Sequence, residues 1–212
     1  MKLNLPNKLT VLRLLLVPVF VIVLMIPYQT TVGYYVTTLL GMIIFGIASY
    51  TDHLDGKIAR ERGLITDFGK FLDPLADKFM VLGAMIVAMF RYGNIRHIYT
   101  ILVLVVVFRE LAVTSMRLMV SGSSHIVIAA NKLGKIKTGS QVVCILCTYL
   151  EPLIYETINQ IGGEKIAESR VMWFLTQYPP LTLISIAIVI VFTIWSGINY
   201  IVQYWKYLDP DK

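Results

Sequence analysis

Six long stretches with few charged residues constrain the fold of this chain more than any other feature of its sequence. Each is close to the roughly 20 residues that an α-helix needs to cross the hydrocarbon core of a bilayer. They are residues 9–28, 33–51, 71–90, 98–120, 139–158 and 181–204. The stretches use most of the 212 residues, of which 57% are hydrophobic. We therefore expect an all-α integral membrane protein, a six-transmembrane-helix bundle in which residues 1–212 form a single membrane domain.

The basic and aromatic residues predict how this bundle sits in the membrane. If both termini and the segments 52–70 and 121–138 share one side, only four of the 19 basic residues fall in the opposite half: Arg91, Arg96, Lys165 and Arg170. Cytoplasmic loops carry the positive excess, so we expect that side to face the cytoplasm, with the protein in the cell membrane. This rule and attraction to anionic lipid explain the net charge of +6 without a nucleic-acid partner. Five aromatic residues are predicted to anchor the last helix at the interface: Trp195, Tyr200, Tyr204, Trp205 and Tyr207.

A short region of the chain concentrates acidic residues. Residues 49–79 hold six of the 13 acids in a sequence that is otherwise mostly apolar. Acids in or beside a membrane are costly, so each one requires a partner. Asp52 and Asp55 are three residues apart, and Asp73 and Asp77 are four apart. Each pair therefore projects from one side of its own helix.

The start of the third helix decides whether the second pair shares its face with a glycine. If this helix begins before residue 69, then Gly69, Asp73 and Asp77 form one stripe and Pro74 is a kink inside the helix. The alternative is Asp73 as N-cap with Pro74 at the first helical position, which would break the stripe. We favour the longer helix.

Two antiparallel helices joined by a short turn can bring the four aspartates within a few ångströms of one another. Such close like charges repel unless cations lie between them. Hard divalent cations bound by oxygen are the simplest solution, so we predict one or two Mg²⁺ or Mn²⁺ ions here. The alternative is ion pairing with nearby basic residues: Lys57, Arg60 and Lys78. Glu61 and Asp67 fall off both faces and are typical of solvated charge in a turn, with Asp67 a candidate cap of the next helix.

The residues that follow the first acid pair suggest what the cations bind. Gly56 follows Asp55 directly and Ala59 lies one turn further, so the helix has a bare patch where a bulky ligand can approach the backbone. Arg60 then supplies a planar guanidinium, whose fork of donors suits phosphate oxygens. Metal ions, an arginine and a shallow groove together favour a diphosphate ligand.

The whole pattern resembles the signature of the CDP-alcohol phosphotransferase family of integral membrane enzymes. That signature is Asp-x-x-Asp-Gly-x-x-Ala-Arg followed, after about eight residues, by Gly-x-x-x-Asp-x-x-x-Asp. Every fixed position is filled here: Asp52, Asp55, Gly56, Ala59, Arg60, Gly69, Asp73 and Asp77. The resemblance implies six helices, in agreement with the six stretches counted above, and a homodimer.

The resemblance also implies roles for individual residues. It assigns a two-metal site to the four aspartates, makes Asp77 the catalytic base, and lets Gly56, Ala59 and Arg60 hold the cytidine diphosphate. The opening PNKLTVLR is similar to the amphipathic N-terminal segment of the family, which lies against the nucleotide. Candidate CDP-lipid contacts in it are Asn7, Thr10 and Arg13, for which helix capping and contact with lipid headgroups are alternative explanations.

A second region resembles the family members that use CDP-diacylglycerol as donor and glycerol 3-phosphate as acceptor. The similar segments are Arg-Glu-Leu at 109–111, Arg117, and NKLGKIKTGS at 131–140. Arg109 lies in mid-span and is eight residues from Arg117, so both can face the interior, and an arginine at such depth rarely faces lipid. The candidate residues for the acceptor phosphate are Arg109, Arg117, Lys135 and Lys137. The alternative for the lysines is a simple role in the positive-inside rule.

Three other functions compete with this one. A cation transporter also uses acids within the membrane, but it does not need Gly56, Ala59 and Arg60 at their positions. An intramembrane prenyltransferase pairs aspartates with Mg²⁺, but usually has more helices and two separate aspartate clusters. Within the family, the acceptor could instead be phosphatidylglycerol, inositol phosphate or serine.

Overall fold

The fold is helical throughout the part of the chain that the structure describes. The computed structural model describes residues 4–64, 66–124 and 132–205, and these ranges contain no strand. The first compact unit, Met1–Gly93, contains α1 (Leu5–Met25), α2 (Thr31–Glu61) and α3 (Asp67–Arg91). The second unit, Asn94–Lys212, contains α4 (Arg96–Ser124), α5 (Lys132–Ala167), α6 (Arg170–Gln177) and α7 (Pro180–Tyr204). The predicted all-α class is confirmed.

Five helical segments of the described chain are long and apolar enough to cross a membrane. They are Leu5–Met25, Thr31–Ala59, Gly93–Arg117, Leu133–Ala167 and Arg170–Tyr204, and they coincide with five of the six predicted spans. The third predicted span falls in α3. Every 18-residue stretch of α3 contains Asp77 and Lys78 together with Asp73 or Arg91, and so at least three charged residues, whereas each of the other five segments has a stretch of that length with at most two. A multi-pass membrane protein is therefore supported, but the count of six spans is not confirmed.

In the first unit, α1 packs against both α2 and α3. Phe20 of α1 meets Phe45 of α2 with 5.9 Å between ring centroids. One turn further along α1, Leu24 lies so close to Gly41 that a Cβ on this glycine would come within 2.6 Å of the leucine side chain. The absence of a side chain at Gly41 thus lets the two helices approach closely.

The amphipathic N-terminal segment that the sequence predicts is not found as a separate element. The Asn4 side chain caps the start of α1 by accepting a hydrogen bond from the Asn7 amide at 3.0 Å, and the helix continues to Met25. Its polar residues Asn7, Thr10 and Arg13 are buried, whereas its apolar residues include exposed ones such as Leu12 and Leu15. The polar side of this segment faces the protein interior because its partners are polar groups of α2 and α3.

The start of α3 follows the longer of the two helices considered from the sequence. The Thr66 hydroxyl caps the helix by accepting a hydrogen bond from the Gly69 amide at 3.1 Å, and Pro74 lies within the helix. The prediction that Asp67 caps α3 is wrong, because Asp67 is already the first helical residue. Gly69, Asp73 and Asp77 therefore do share one helical face.

The other end of the first unit is held by one arginine. Arg91, the last residue of α3, donates to the Leu24 carbonyl at the end of α1 at 2.7 Å. It also donates to the hydroxyls of Thr37 and Thr38 of α2, at 2.9 and 2.7 Å. Its guanidinium lies 4.8 Å from the ring centroid of Tyr28, in cation–π geometry. All three helices are tied together at this end.

In the second unit, α7 packs against α4 and α5, and α6 packs against α5. A buried carboxylate organises the start of α7. Glu151 of α5 accepts hydrogen bonds from the backbone amides of Leu181 at 3.0 Å and Thr182 at 2.7 Å, and from the Thr182 hydroxyl at 2.8 Å. A negative charge at a helix N-terminus satisfies free amides and interacts favourably with the helix dipole. This accounts for an acid inside an apolar helix.

We predict that Glu151→Gln lowers the stability of the fold. Gln keeps the size of the side chain but loses the charge, and its NH₂ group cannot accept from the α7 amides. Loss of hydrogen bonds to a charged group should cost about 1.5–3 kcal/mol, measured as a lower unfolding temperature of the detergent-solubilised protein. Glu164→Gln, the same change at an exposed position of α5, is the control. Equal unfolding temperatures for the two variants would contradict the capping role.

Candidate functional site

The four aspartates of the sequence pattern converge in the first unit around one arginine of α1. The Arg13 Nη1 atom lies 2.8 Å from Asp52 Oδ1 and 2.6 Å from Asp77 Oδ1. The Nη2 atom of the same guanidinium forms an ion pair with Asp55. Since Asp52 and Asp55 come from α2 and Asp77 from α3, Arg13 links all three helices.

A threonine one turn before Arg13 brings in the fourth carboxylate. The Thr10 hydroxyl donates to Asp73 Oδ1 at 2.7 Å and lies 3.4 Å from Asp55 Oδ2. Thr10 and Arg13 share one face of α1 because they are three residues apart. This face of α1 is thus matched to the acidic faces of α2 and α3.

Gly69 allows the N-terminal end of α1 to approach α3 closely. A Cβ at this position would come within 2.9 Å of Asn7 Oδ1, and within 3.3 Å of Thr66 Oγ1. Thr66 donates from its hydroxyl to the same Asn7 oxygen at 3.0 Å. Asn7 therefore connects α1 to the start of α3. Gly69 of the pattern is required here because a larger residue would collide with the Asn7 side chain.

The charge balance of this cluster favours additional cations. Arg13 is completely buried, whereas the side chains of Asp52 and Asp77 are 44% and 45% exposed. Three carboxylates share the guanidinium and the fourth, Asp73, is held by the uncharged Thr10 hydroxyl, so the acids of the cluster outnumber its buried cation, and the cluster has an edge open to the surroundings. Oxygen donors of this kind are the ligands that Mg²⁺ and Mn²⁺ prefer. The carboxylate oxygens of these four aspartates are therefore suitable ligands for the predicted metal ions.

The side chains of the four aspartates nevertheless contact Arg13 and Thr10 in this structure. Among the described residues, no group of three or more His, Cys, Asp or Glu side chains is arranged to hold a metal ion. Of the basic residues considered as alternative partners, Lys57 pairs with Glu61 at 3.8 Å. The side chain of Arg60 lies outside the described part of the chain. Gly56 and Ala59 are half-buried on α2, beside the aspartates.

The predicted acceptor residues lie in the second unit, and three of the four belong to one cluster. Glu110 of α4 pairs with its neighbour Arg109 at 3.2 Å and with Lys137 of α5. Arg109 also donates to the Ser196 hydroxyl of α7 at 3.1 Å. Lys135 is exposed and lies two residues before the buried Lys137, so it points away from this side of α5.

Tyr200 of α7 completes this cluster and was assigned wrongly from the sequence. Its ring lies 5.7 Å from the guanidinium of Arg109 and 5.2 Å from that of Arg117, and its hydroxyl accepts from Arg117 at 2.6 Å. Tyr200 is buried, so it is not an interface anchor, whereas Trp195 and Trp205 are exposed as expected. Tyr207 lies outside the described residues.

Gln141 is a second residue that sequence reasoning missed. It is buried one turn after Lys137 on α5, and its amide nitrogen has no hydrogen-bond partner among the described residues. A buried donor without a partner is rare and calls for a ligand or a water molecule. The only sequence signal was its i+4 spacing from Lys137.

The sequence model of one protein family, CDP-alcohol phosphatidyltransferase, matches residues 3–207. The chain belongs to this family. It is 36% identical over 215 aligned positions to the CDP-diacylglycerol–glycerol-3-phosphate 3-phosphatidyltransferase of Bacillus subtilis (strain 168), with 99% of each chain covered. It is also 32% identical to the protein of that name from Haemophilus influenzae, covering 95% of this chain and 93% of the relative. The Salmonella typhimurium protein of that name is 31% identical, with coverage of 84% and 94%.

The geometry of the aspartate cluster predicts that the acids of residues 49–79 differ in importance. Asp52→Asn and Asp55→Asn should each lower CMP release from a CDP-alcohol by about 100-fold or more, because both remove charge from the cluster around Arg13. Glu61→Gln and Asp67→Asn should stay within about threefold of wild type, since these residues are exposed and lie off the acidic faces. The measurement is initial rate at saturating substrate with matched protein amounts. Similar losses in all four variants would contradict the helical-face argument.

Proposed function

We propose that the protein transfers the phosphatidyl group of CDP-diacylglycerol to glycerol 3-phosphate, giving phosphatidylglycerol phosphate and CMP. The observation that carries this proposal is the convergence of Asp52, Asp55, Asp73 and Asp77 at one point of the first unit. Relatives that carry this activity in their names match the chain over nearly its full length, which supports the choice of donor and acceptor. The match of residues 3–207 to one family model supports a single catalytic membrane domain.

The four aspartates are proposed to hold two divalent cations, Mg²⁺ or Mn²⁺. When bound, such cations neutralise the charge of a diphosphate and of a departing phosphate. Gly56, Ala59 and Arg60 would bind the cytidine diphosphate, with Asn7 and Thr10 beside them. The exposed edge at Asp52 and Asp77 supports access of a diphosphate from outside the helix bundle.

Asp77 is proposed as the general base. Its carboxylate accepts the proton of the glycerol 3-phosphate 1-hydroxyl, and that oxygen attacks the phosphorus that carries the diacylglycerol. The bond from this phosphorus to the oxygen of CMP breaks, so CMP leaves with the electron pair. The 45% exposure of the Asp77 side chain supports contact with a substrate hydroxyl.

The phosphate of glycerol 3-phosphate does not react, and we propose that the basic cluster of the second unit binds it. Arg109, Arg117 and Lys137 contribute three positive charges against the single carboxylate of Glu110, which leaves an excess for an anion. The unpartnered amide of Gln141 is a further donor. Lys135 would contribute a more distant, exposed charge.

The membrane arrangement is proposed on similar grounds. One face of α3 exposes Phe71, Phe79, Ile86 and Phe90 to the surroundings, which supports α3 as a sixth span with this face toward lipid. The positive-inside rule supports termini and active site on the cytoplasmic side of the plasma membrane. A homodimer is proposed from the resemblance to the family.

The direct test of the function is a comparison of acceptors. Purified protein in detergent micelles with Mg²⁺ or Mn²⁺ should release CMP from CDP-diacylglycerol with glycerol 3-phosphate, at least about tenfold faster than with phosphatidylglycerol, inositol phosphate or serine. Asp77→Asn is the negative control, because it keeps the side-chain size and removes the basic oxygen. Faster release with another alcohol would reassign the acceptor. Full activity of Asp77→Asn would remove this residue from its proposed role.

Arg109 tests the acceptor cluster separately. One charge-assisted contact to phosphate is worth about 1.5–3 kcal/mol, so Arg109→Ala should raise KM for glycerol 3-phosphate about tenfold or more. KM for CDP-diacylglycerol should stay within about twofold. Arg109→Lys should recover only part of the loss, since lysine lacks the planar fork. Arg170→Ala, at an exposed position of α6, is the matched control, and a defect confined to CDP-diacylglycerol would move Arg109 to the donor site.

A further inference from the structure

Arg13 has an environment that its expected role in binding CDP-lipid does not explain. Its side chain is completely buried, and its guanidinium contacts three carboxylates rather than an open groove. One nitrogen, Nη1, serves both Asp52 and Asp77, while Nη2 serves Asp55. An arginine that binds a phosphate group at the surface would instead have its N–H donors available for that ligand.

These contacts place a positive charge directly beside the proposed metal site, on one carboxylate oxygen each of Asp52, Asp55 and Asp77. The second oxygen of each carboxylate can bind a divalent cation, but that cation then lies within a few ångströms of the guanidinium and is repelled by its charge. Each metal ion that binds Asp52 or Asp77 must therefore overcome this repulsion or move Arg13 aside. The affinity for metal then depends on how strongly Arg13 holds its partners.

Arg13 also holds the cluster together. Without a counter-charge, four carboxylates from two helices would repel each other, and breaking a buried pair leaves an uncompensated charge. Because Arg13 belongs to α1, its ion pairs attach α1 to the acidic faces of α2 and α3. Thr10 adds the contact to Asp73 from the same face.

We propose that Arg13 is a positioning residue that acts as a built-in counter-cation of the four aspartates. It holds three of them together directly, and its charge opposes a divalent cation bound beside them, so it lowers the metal affinity of the site. This inference rests on the proposed function only in that the aspartates bind a divalent cation. It requires neither CDP-diacylglycerol nor glycerol 3-phosphate.

The test measures binding of Mn²⁺ alone to the full-length protein in detergent, by the loss of the free-ion signal in electron paramagnetic resonance. Arg13→Gln removes the competing charge and should tighten Mn²⁺ binding by about tenfold or more. Lys57→Gln removes one positive charge from the same unit, but from an exposed residue that pairs with Glu61. This control should change Mn²⁺ affinity by less than about twofold.

Thermal unfolding gives a second readout that does not depend on turnover. In EDTA, Arg13→Gln should unfold at a lower temperature than wild type, and saturating Mn²⁺ should raise its unfolding temperature more than that of wild type. If Arg13→Gln cannot be purified, Arg13→Lys replaces it. One ammonium group cannot serve three carboxylates in the same way, so Mn²⁺ should again bind more tightly than to wild type.

Unchanged or weaker Mn²⁺ binding in both Arg13 variants would overturn the inference. If their affinity for CDP fell at the same time, Arg13 would be a donor-site residue instead. Failure of the proposed metal site has a different signature, because wild type itself would then bind no Mn²⁺ and Asp52→Asn would change nothing. That result would overturn the inference as well. The metal site and the inference are both supported if wild type binds Mn²⁺, Asp52→Asn abolishes this binding and Arg13→Gln makes it tighter.

Discussion

The first unit depends on the attraction between one buried guanidinium and the carboxylates of two other helices. Acids are costly inside an apolar bundle, and a partner from a third helix offsets this cost only if that helix packs in one position. The Asn7, Thr10 and Arg13 face of α1 satisfies this condition, since all three side chains are buried against polar groups of α2 and α3. The same interaction thus fixes the helix packing and assembles the groups of the proposed chemistry.

The second unit also places charged side chains inside an apolar bundle, but there the positive charges are in excess. Its central carboxylate, Glu110, is outnumbered by arginine and lysine, and the aromatic ring of Tyr200 lies against two guanidinium groups. The polar cluster of the first unit is therefore acidic and that of the second unit is basic. This division suits the transfer of a phosphatidyl group from a diphosphate, which requires cations, to an acceptor that carries its own phosphate.

Periodicity alone predicted the parts of this structure that depend on local geometry. The pairing of Asp73 with Asp77 and the helix that continues through Pro74 follow from spacing, and both are found. The contacts of Arg13 and Tyr200 could not be predicted in this way, because they join residues 42 or more positions apart, which no helical repeat reports. The sixth span is not confirmed because every 18-residue stretch of α3 contains at least three charged residues.

Two arginines attach α1 to the other helices of the first unit, Arg13 near the middle of α1 and Arg91 near its last turn. Arg91 donates a hydrogen bond to the Leu24 carbonyl near the last turn of α1. Arg13 forms its ion pairs with the aspartates 11 residues earlier, about 16 Å away along the helix axis. The hydrogen bond from Arg91 to the Leu24 carbonyl involves no carboxylate, so changes in the contacts of the aspartates leave it intact. Loss of the ion pairs of Arg13 to a bound cation would therefore leave α1 attached to α3 at this end. At its other end, the contact of Asn7 with Thr66 involves no carboxylate either, so the aspartates can exchange partners beside a helix that keeps its position.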